Sequence, residues 1–390
     1  MHKQLFTWGM LIGALVLGGC PKNTSDDPSG AAAETHSLVL DWDAQIKEIP
    51  LLAPRLGVTR FYSGHKDMRH IRSPLLSPDK KQIYFVGKTR SRWAIWSQSS
   101  DTSDAAKPLV VLDEKMKQKW GWRSLGDLAL SPDGRHLVFG VRGPKKEQGL
   151  SPQFGVFDLK SRRLSTIPVE GVQQARTPTF VQDGNVLAFA DCARIAKIPF
   201  QPPATAGQKA QTVAFVEGIR GACPLWRPRV GPKGKDWVVE LQVALLTPQW
   251  QERLGVSSSV GQAQAGTSLW RFMMPMGQWV PLLSAANHAA LKGAPQWSGF
   301  QTPVFSANGD AIYFSAGRRL AKKDLQSQGV DYVLPGAVSA GNGFLGVRFE
   351  ERFLSVHADG NWAVATSNVL GAPITIPPGL ILIDFSHLNP

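Results

Sequence analysis

The chain has 390 residues, of which 43% are hydrophobic, enough for a large core, and its 38 glycines and 28 prolines suit many tight turns. The formal net charge of +13 favours anionic partners, and a basic surface without a dedicated partner is the alternative interpretation. The sequence contains no phosphate-binding glycine loop, EF-hand loop or G-x-S-x-G nucleophile elbow, which argues against the enzyme and calcium-binding classes that these motifs define.

The N-terminus has the features of a secretory signal. Lys3 supplies a positive charge, residues 10–16 form a short apolar run, and Leu17–Cys20 (Leu-Gly-Gly-Cys) matches a bacterial lipobox. The run is too short to span a bilayer, which takes about 20 apolar residues. We therefore predict that residues 1–19 are a cleaved signal peptide and that Cys20 carries acyl chains, palmitate among them, as a firm membrane anchor.

Residues 20–37 are rich in small and polar residues and lack apolar periodicity, so we predict a flexible tether there. The residue that follows Cys20 is Pro21 and not Asp, so nothing in the sequence argues for retention at the inner membrane. We expect an outer-membrane lipoprotein of a Gram-negative envelope that faces the periplasm.

One pattern then recurs along the chain: an apolar strand, a turn of the Pro/Asp/Gly type, and a strand rich in β-branched and aromatic residues. The clearest copy is Leu128–Phe139 (Leu-Ala-Leu-Ser-Pro-Asp-Gly-Arg-His-Leu-Val-Phe). Further copies occupy residues 75–85, 179–189 and 304–314, with degenerate ones at 231–239 and 354–364. Pro presets φ at such a turn, Asp bonds its own backbone, and Gly accepts a positive φ.

The copies repeat about every 50 residues, apart from one interval of about 75 residues between Lys233 and Asn308, which is typical of a β-propeller. We predict an all-β fold over residues 38–390, with six blades of four-stranded antiparallel sheets and seven blades as the alternative count. The last unit supplies three strands, so we predict that Val58–Tyr62 pairs with Leu380–Phe385 and closes the ring from both ends of the chain.

The repeated motif, of the form P-x-[FWL]-S-P-D-G-x-x-[IL]-x-[FY], resembles the TolB-like or PD40 family of six-bladed propellers from about Phe61 to the C-terminus. The resemblance implies the fold and leaves the function open. Relatives include a periplasmic translocation protein and the non-catalytic half of prolyl oligopeptidase-type enzymes. Only residues 38–56 separate tether and propeller, too few for the α/β domain of the translocation protein, so a role in that system does not follow.

Two cysteines remain besides Cys20, namely Cys192 and Cys223. An oxidising compartment favours a disulfide between them, worth roughly 3 kcal/mol by loop entropy, over two buried thiols. The pair has no neighbouring Cys/His cluster, and His65 and His70 around Asp67 make a poor metal site, so we expect no metal and no cofactor.

Several tryptophans and basic pairs fall in predicted connections and are candidates for a binding surface. Most of the 13 tryptophans are expected in the packing between blades. The surface candidates are Trp120, Trp122, Trp297, Lys145, Lys146, Arg318 and Arg319. The fourth unit also carries an insertion, Gly255–Gly266, of small polar residues that suits either a binding loop or a neutral one.

These features predict a lipid-anchored envelope scaffold that binds another protein through its propeller, more in keeping with a binding protein than an enzyme, and monomeric. The alternative is a protein that binds or hydrolyses an envelope glycan, peptidoglycan or lipopolysaccharide, with carboxylates at the channel. An acidic protein or an anionic glycan fits the basic charge, whereas nucleic acid is a poor partner outside the cytoplasm.

Overall fold

The protein is described from a computed structural model. It covers residues 58–63, 68–90, 92–101, 105–143, 152–181, 184–203, 206–256, 267–283, 299–316, 319–327, 330–334, 346–357, 359, 361–370 and 379–384. Of Val58–Ser63, Arg319–Leu320, Asp331–Leu334, Gly346–Leu354 and Ser367–Leu370 the backbone alone is described. The predicted signal peptide, Cys20 and the tether lie outside the described residues, as do Lys145, Lys146, Trp297 and Arg318.

Six antiparallel sheets follow one another along the chain as the blades of a propeller, which confirms the predicted fold and blade count. Strand β1 is Val58–Ser63. Blade 1 comprises β2 (Met68–Leu76), β3 (Gln82–Thr89), β4 (Trp93–Ser99) and β5 (Lys107–Val111). Blade 2 comprises β6 (Ser124–Leu130), β7 (His136–Arg142), β8 (Gln153–Asp158) and β9 (Arg163–Glu170). Blade 3 comprises β10 (Arg176–Phe180), β11 (Val186–Asp191), β12 (Arg194–Pro199) and, after the short β13 (Gln208–Lys209), β14 (Gln211–Phe215).

Blade 4 comprises β15 (Leu225–Val230), β16 (Asp236–Leu241), β17 (Ser268–Met273) and β18 (Gln278–Leu283). Blade 5 comprises β19 (Phe300–Phe305), β20 (Ala311–Ala316), β21 (Arg319–Asp324) and β22 (Val330–Leu334). Blade 6 comprises β23 (Gly346–Val356), β24 (Trp362–Leu370) and β25 (Gly379–Asp384), completed by β1. The degenerate copy at 231–239 thus forms a regular blade. One sheet departs from the prediction of four strands, because β13 adds to β9 of blade 2 in parallel.

The ring closes as predicted. Strand β1 pairs antiparallel with β25, with Tyr62 opposite Leu380 and Phe61 opposite Ile381. The outermost strand of the last blade therefore comes from a point in the chain that precedes the first blade. This arrangement joins the two ends of the propeller and leaves blade 6 without the free edge that would otherwise invite aggregation.

The hydrophobic core is divided among the blade interfaces. Each of the five clusters among the described residues joins two neighbouring blades, and one of them joins blade 1 to blade 6 across the closure. In that cluster Ile71 and Phe85 of blade 1 pack with Val364 and Leu382 of blade 6. The strands are apolar on both faces because a blade is covered on both sides, so β11, for example, is buried over five consecutive residues.

Two short helices lie in the connections. Helix α1 (Glu114–Trp120) links blades 1 and 2, with Asp113 accepting a capping bond from the Met116 N–H and Gly121 ending it at φ 67°. Helix α2 (Pro248–Arg253) lies in the long connection between β16 and β17, which contains the predicted insertion. Residues 257–266 of that insertion are outside the described part. Within that part, no helix is long and apolar enough to cross a bilayer.

The repeated turns share one hydrogen-bond network. In blade 1 the Ser77 hydroxyl donates to the Asp79 carboxylate at 2.6 Å and accepts from the Gln82 N–H at 2.9 Å. Ser131 with Asp133 and Ser306 with Asn308 repeat this pattern. The serine hydrogen bond, ahead of the one from the Lys81 N–H, lowers the pKa of Asp79. The Ser-Pro-Asp-Gly motif therefore encodes a complete turn.

The same turns also contact one another around the ring. A Cβ placed on Gly309 of blade 5 would lie 2.9 Å from the Pro232 ring of blade 4, and one on Gly134 of blade 2 would lie 3.2 Å from Pro78 of blade 1. Gly184 stands in the same relation to Pro132. Each proline thus packs on the glycine of the following blade's turn. In blade 4 the equivalent glycine, Gly234, has nothing within 4 Å of such a Cβ, and the preceding turn carries Gln182 in place of proline.

An ion pair replaces this contact where the ring closes. Lys80, which occupies the glycine position of the blade 1 turn at φ 62°, bonds Asp359 of the blade 6 turn at 2.5 Å. Nε2 of His357 lies 3.2 Å from the Pro78 carbonyl oxygen. Burial on its own would raise the pKa of Asp359, but hydrogen bonds from Lys80, the Asn361 N–H and His357 lower it to about 2. The carboxylate therefore stays ionised at neutral pH.

The closure predicts a global effect of a local truncation. Removing every residue after Ile376 deletes β25, exposes the blade 1 core at Leu382 and leaves β1 without a partner. We expect loss of the whole folding transition, because the interface between blades 1 and 6 and the closing sheet disappear together. Circular dichroism melting checks this, and a truncated chain that keeps the native melting temperature would contradict it.

The turn contacts predict a difference between two equivalent glycines. Gly309→Ala and Gly234→Ala both place a Cβ at positive φ, which costs about 1 kcal/mol, but the first also meets Pro232. We expect Gly309→Ala to lose at least about 1 kcal/mol more in urea unfolding. Pro232→Ala should recover part of that excess when combined with Gly309→Ala, and equal losses for the two glycine variants would refute the inter-blade contact.

Candidate functional site

The innermost strands of the six blades surround a polar cavity on the propeller axis. All six contribute to its lining, and its volume is about 180 Å³. The residues that the argument uses are Ser73, Asp127, Thr179, Arg227, Arg229 and Thr302. This central channel is the candidate site.

A bulge shapes the channel wall at the same point of each innermost strand. Pairing with the second strand shifts register there in all six blades. In four blades the bulge residue has a positive φ although it is not glycine, and a proline follows it. These residues are Ser73 (51°), Thr177 (47°), Arg227 (43°) and Thr302 (51°). Such conformations cost about 1–3 kcal/mol each and accumulate at functional sites, so the wall is a candidate on backbone grounds as well.

Near the bulges, side-chain oxygens accept hydrogen bonds from backbone N–H groups of the neighbouring blade. The Ser73 hydroxyl accepts the Leu128 N–H of the next blade at 2.8 Å, and Glu240 accepts the Thr302 N–H at 2.5 Å. Both N–H groups lie at register shifts, where the partner strand supplies no carbonyl. Neighbouring blades are thus linked near the axis by side chains and not by a shared sheet.

Arg227 occupies the centre of a buried ionic cluster, here called the channel triad, formed by Asp127, Arg227 and Glu240. Its Nε lies 3.1 Å from Asp127 Oδ2 and its Nη1 lies 2.9 Å from Glu240 Oε2. The side chains are 12%, 11% and 2% exposed for Arg227, Asp127 and Glu240. Burial alone would lower the pKa of Arg227, but the two carboxylates outweigh it and raise that pKa. Blades 2 and 4 are therefore joined across the channel by one guanidinium group.

A second arginine in the wall lacks such partners. Within the described residues, the one hydrogen bond of the Arg229 guanidinium is to the neighbouring Pro228 carbonyl at 3.2 Å. Burial lowers the pKa of Arg229; Asp127 and Glu240 oppose this effect and Arg227 adds to it. Thr302, whose N–H bonds Glu240 of the triad, is 3% exposed, and its hydroxyl has no hydrogen-bond partner among those residues.

Three more guanidinium groups, here called the mouth arginines, gather at the end of the channel where blade connections run: Arg72, Arg142 and Arg176. Arg72 lies over the Trp93 ring at 4.3 Å and Arg176 over Trp226 at 4.6 Å. Burial, followed by repulsion from Arg142, lowers the pKa of Arg176. In Arg72 burial is again the main cause, partly offset by Asp127. None of the three forms an ion pair within the described part.

The structure places the predicted surface tryptophans Trp120 and Trp122 at the interface between blades 1 and 2. Trp122 is completely buried, stacked 4.6 Å from the Trp120 ring and edge-on to Phe139, so its prediction as a surface residue is wrong. The reason is that the connection after α1 enters the groove between blades 1 and 2, where a large ring fills the interface. Trp120 is half-buried, and Lys119 lies over its ring. Of Arg319 the backbone alone is described, in β21.

The remaining predicted residues lie away from the channel. Cys192 and Cys223 form a disulfide that joins the β11–β12 connection to the segment before β15. His70 lies on β2, whereas His65 and Asp67 are outside the described residues. Across the ranges that are described, no three His, Cys, Asp or Glu side chains come together as a metal site.

Sequence reasoning did not single out the channel arginines, although a signal was present. A proline stands five residues before the turn marker in four units, at Pro74, Pro178, Pro228 and Pro303, and the residue before each proline is the bulge residue. That regularity marks the channel wall, because the bulge lies where each innermost strand faces the axis.

No protein-family model matches this chain, and no curated protein matches it. Similar solved structures include TolB from Acinetobacter baumannii, with 14% identity, a TM-score of 0.43, and coverage of 81% of this chain and 55% of that one. A putative TolB from Agrobacterium tumefaciens has 14% identity, a TM-score of 0.42, and coverage of 64% and 72%. Kuenenia stuttgartiensis hydrazine synthase has 13% identity, a TM-score of 0.41, and coverage of 79% of each chain.

This chain spans 55% of the length of the first of these structures. Similarity at these identities carries no argument about activity. The class of protein is defined by the six sheets and the site within them: this is a six-bladed β-propeller with an arginine-rich central channel.

The channel triad predicts a large difference between two carboxylates of one strand. Glu240→Gln takes a buried negative charge away from Arg227 and leaves the Thr302 N–H a neutral amide oxygen in place of a carboxylate, so we expect a loss of about 3 kcal/mol in urea unfolding at pH 7. Asp236→Asn on the same strand breaks the more exposed pair with Arg271 and should cost less than about 1 kcal/mol. Equal losses would mean that the triad is not a structural centre.

Proposed function

We propose that this protein is a lipid-anchored scaffold of the cell envelope that binds a partner protein at the channel and the connection face around it. The single observation that carries the proposal is the polarity of the channel: guanidinium groups predominate, and the carboxylates nearest to it are already bound by Arg227. A wall of this kind suits recognition of negative charge, and the two carboxylates described there are both engaged by Arg227.

The connection face is named here for the connections that emerge on it. It carries both helices, the mouth arginines and Phe215, whose ring is 56% exposed beside Trp250 of α2. A basic rim next to an exposed aromatic is the combination that protein interfaces favour, since arginine and aromatic residues supply most of their binding energy. The opposite face carries the tight repeated turns and the turns between third and fourth strands, among them the β17–β18 turn with the exposed Met274 and Met276.

Turnover of a glycan is a weaker candidate. Glycoside hydrolysis uses two carboxyl groups at about 5–10 Å, one of which must hold a proton. Asp127 and Glu240 are both bound by the one guanidinium group of Arg227, so neither is free to act on a substrate. Among the described residues that line the cavity, Asp127 is the sole carboxylate.

The anchor is part of the proposal and rests on the lipobox at Leu17–Cys20. A tether over residues 20–37, about 50–60 Å when extended, would let the propeller reach partners away from the membrane surface. The outer-membrane, periplasm-facing location stays a proposal on the same sequence grounds.

Affinity capture tests the interaction. The chain from residue 20 onward, carrying Cys20→Ser, is used to capture proteins from solubilised envelope extract at low and high salt. We expect one stoichiometric partner whose capture falls with salt, because exposed charges are screened. Arg142→Glu at the mouth should reduce capture at least about threefold, since it reverses a charge at a positive rim.

Arg163→Glu is the matched control, because it is an equally exposed arginine at the turn end of β9. Loss of capture with both variants would point to a nonspecific charge effect and contradict the proposed face. Retention of peptidoglycan or lipopolysaccharide fragments without any protein would shift the function to glycan binding. Labelled palmitate should enter the unmodified chain and not the Cys20→Ser variant.

A further inference from the structure

Among the described residues, three buried arginines of the channel, Arg72, Arg227 and Arg229, outnumber the two buried carboxylates, Asp127 and Glu240, by one. Asp127 and Glu240 both pair with Arg227, whereas Arg229, two residues further along β15, and Arg72 on β2 have no ion pair within the described residues. The Nε of Arg72 is buried and has no hydrogen-bond partner there. A buried charge without a partner is strongly destabilising, so the surplus calls for an explanation in the folded protein.

The cavity offers the room and a further donor for a counter-charge. Its volume of about 180 Å³ fits a compact molecule, and Arg227, Arg229 and Thr302 all line it. Thr302 is a lining residue that is 3% exposed, and its hydroxyl has no hydrogen-bond partner among the described residues. Buried hydroxyl groups nearly always have a partner, so an unpaired donor in a cavity wall is an independent sign that a ligand atom belongs beside it.

The electrostatics of the mouth supports the same conclusion. Arg72, Arg142 and Arg176 surround the connection-face end, and mutual repulsion contributes to the lowered pKa values of Arg72 and Arg176. An approaching anion would relieve this repulsion before it reaches Arg229. Guanidinium groups bind carboxylate and phosphate oxygens in pairs of parallel hydrogen bonds, which makes them suited to oxyanions.

We propose that the central channel binds a compact oxyanion, a carboxylate or a phosphate group, between Arg229 and the Thr302 hydroxyl, with the mouth arginines drawing it in. The proposal deepens the binding role of the channel given above and names its ligand chemistry. Arg227 remains in the channel triad and holds the wall in place, and Asp127 limits how deeply a second negative charge enters.

Isothermal titration calorimetry tests this on the chain from residue 20 onward with Cys20→Ser. Inorganic phosphate and succinate are titrated separately at pH 7 and constant ionic strength, with sodium chloride as the reference anion. We expect saturable binding of at least one of the two probes, and whichever binds more tightly distinguishes a phosphate source from a carboxylate source. Binding of neither above the chloride reference would overturn the proposal.

Two variants identify the site. Arg229→Gln should weaken binding of the probe at least about tenfold, and Thr302→Val about threefold to tenfold, because each removes a donor to an ionised group. Thr302→Val removes a hydroxyl without a described partner, so its melting temperature should stay at or above that of the parent chain. Arg163→Gln, which makes the same change of charge on the outer strand β9, should leave the affinity unchanged.

Equal weakening by Arg229→Gln and Arg163→Gln would place the anion elsewhere and overturn the assignment. The outcome is separable from the partner experiment. A chain that captures its partner but binds neither probe refutes the oxyanion site alone, whereas a chain that binds phosphate or succinate but captures no protein refutes the scaffold alone.

Discussion

The pairing of β1 with β25 is the constraint on which the rest of the structure depends. Because the last blade takes its outermost strand from the segment before the first blade, both ends of the propeller are held in one sheet. The apolar clusters lie between blades, so each blade is stable only against its neighbours. Once the ring is closed, six innermost strands are held around one axis, and the channel is a geometric consequence.

Closure also explains an ion pair among the repeated turns. At three other junctions, those of blades 1 and 2, 2 and 3, and 4 and 5, a proline of one turn packs on the glycine of the next, and this needs the small residue at a positive φ. At the junction of blades 6 and 1 the glycine position is taken by Lys80, and its pair with Asp359 replaces the proline contact. The motif of a single blade thus specifies both its own hairpin turn and the contact of that turn with the turn of the next blade.

The parts of the fold that the sequence predicts are those set by local chemistry. Turn residues at a regular spacing placed all six blades, including the one marked by Lys233, and the strand missing from the last unit led to the pairing of β1 with β25. The wall of the channel was not predicted, since the direction of Arg227 or Thr302 depends on a register shift between two strands. Trp122 was misjudged for a related reason: composition marks a connection but not the groove that it enters.

The basic pairs that stand out in the sequence also differ from the arginines that the fold brings together. Arg72 and Arg176 hold equivalent positions in blades 1 and 3, each directly before the bulge residue, and a repeat protein brings such positions together without sequence proximity. Arg142, on the second strand of blade 2, and Arg229, after the bulge of blade 4, hold other positions.

Arg227 and Arg229 show how one strand serves structure and recognition at once. They are two residues apart on β15 and both line the cavity, yet Arg227 has two carboxylates and Arg229 has a backbone carbonyl. The paired charges of the channel triad rigidify the wall. A guanidinium group without an ion pair, by contrast, lowers stability until a ligand supplies the missing negative charge. Such a ligand would stabilise the ring in proportion to the logarithm of its concentration, so occupancy and folding of the propeller would be coupled through the same arginine.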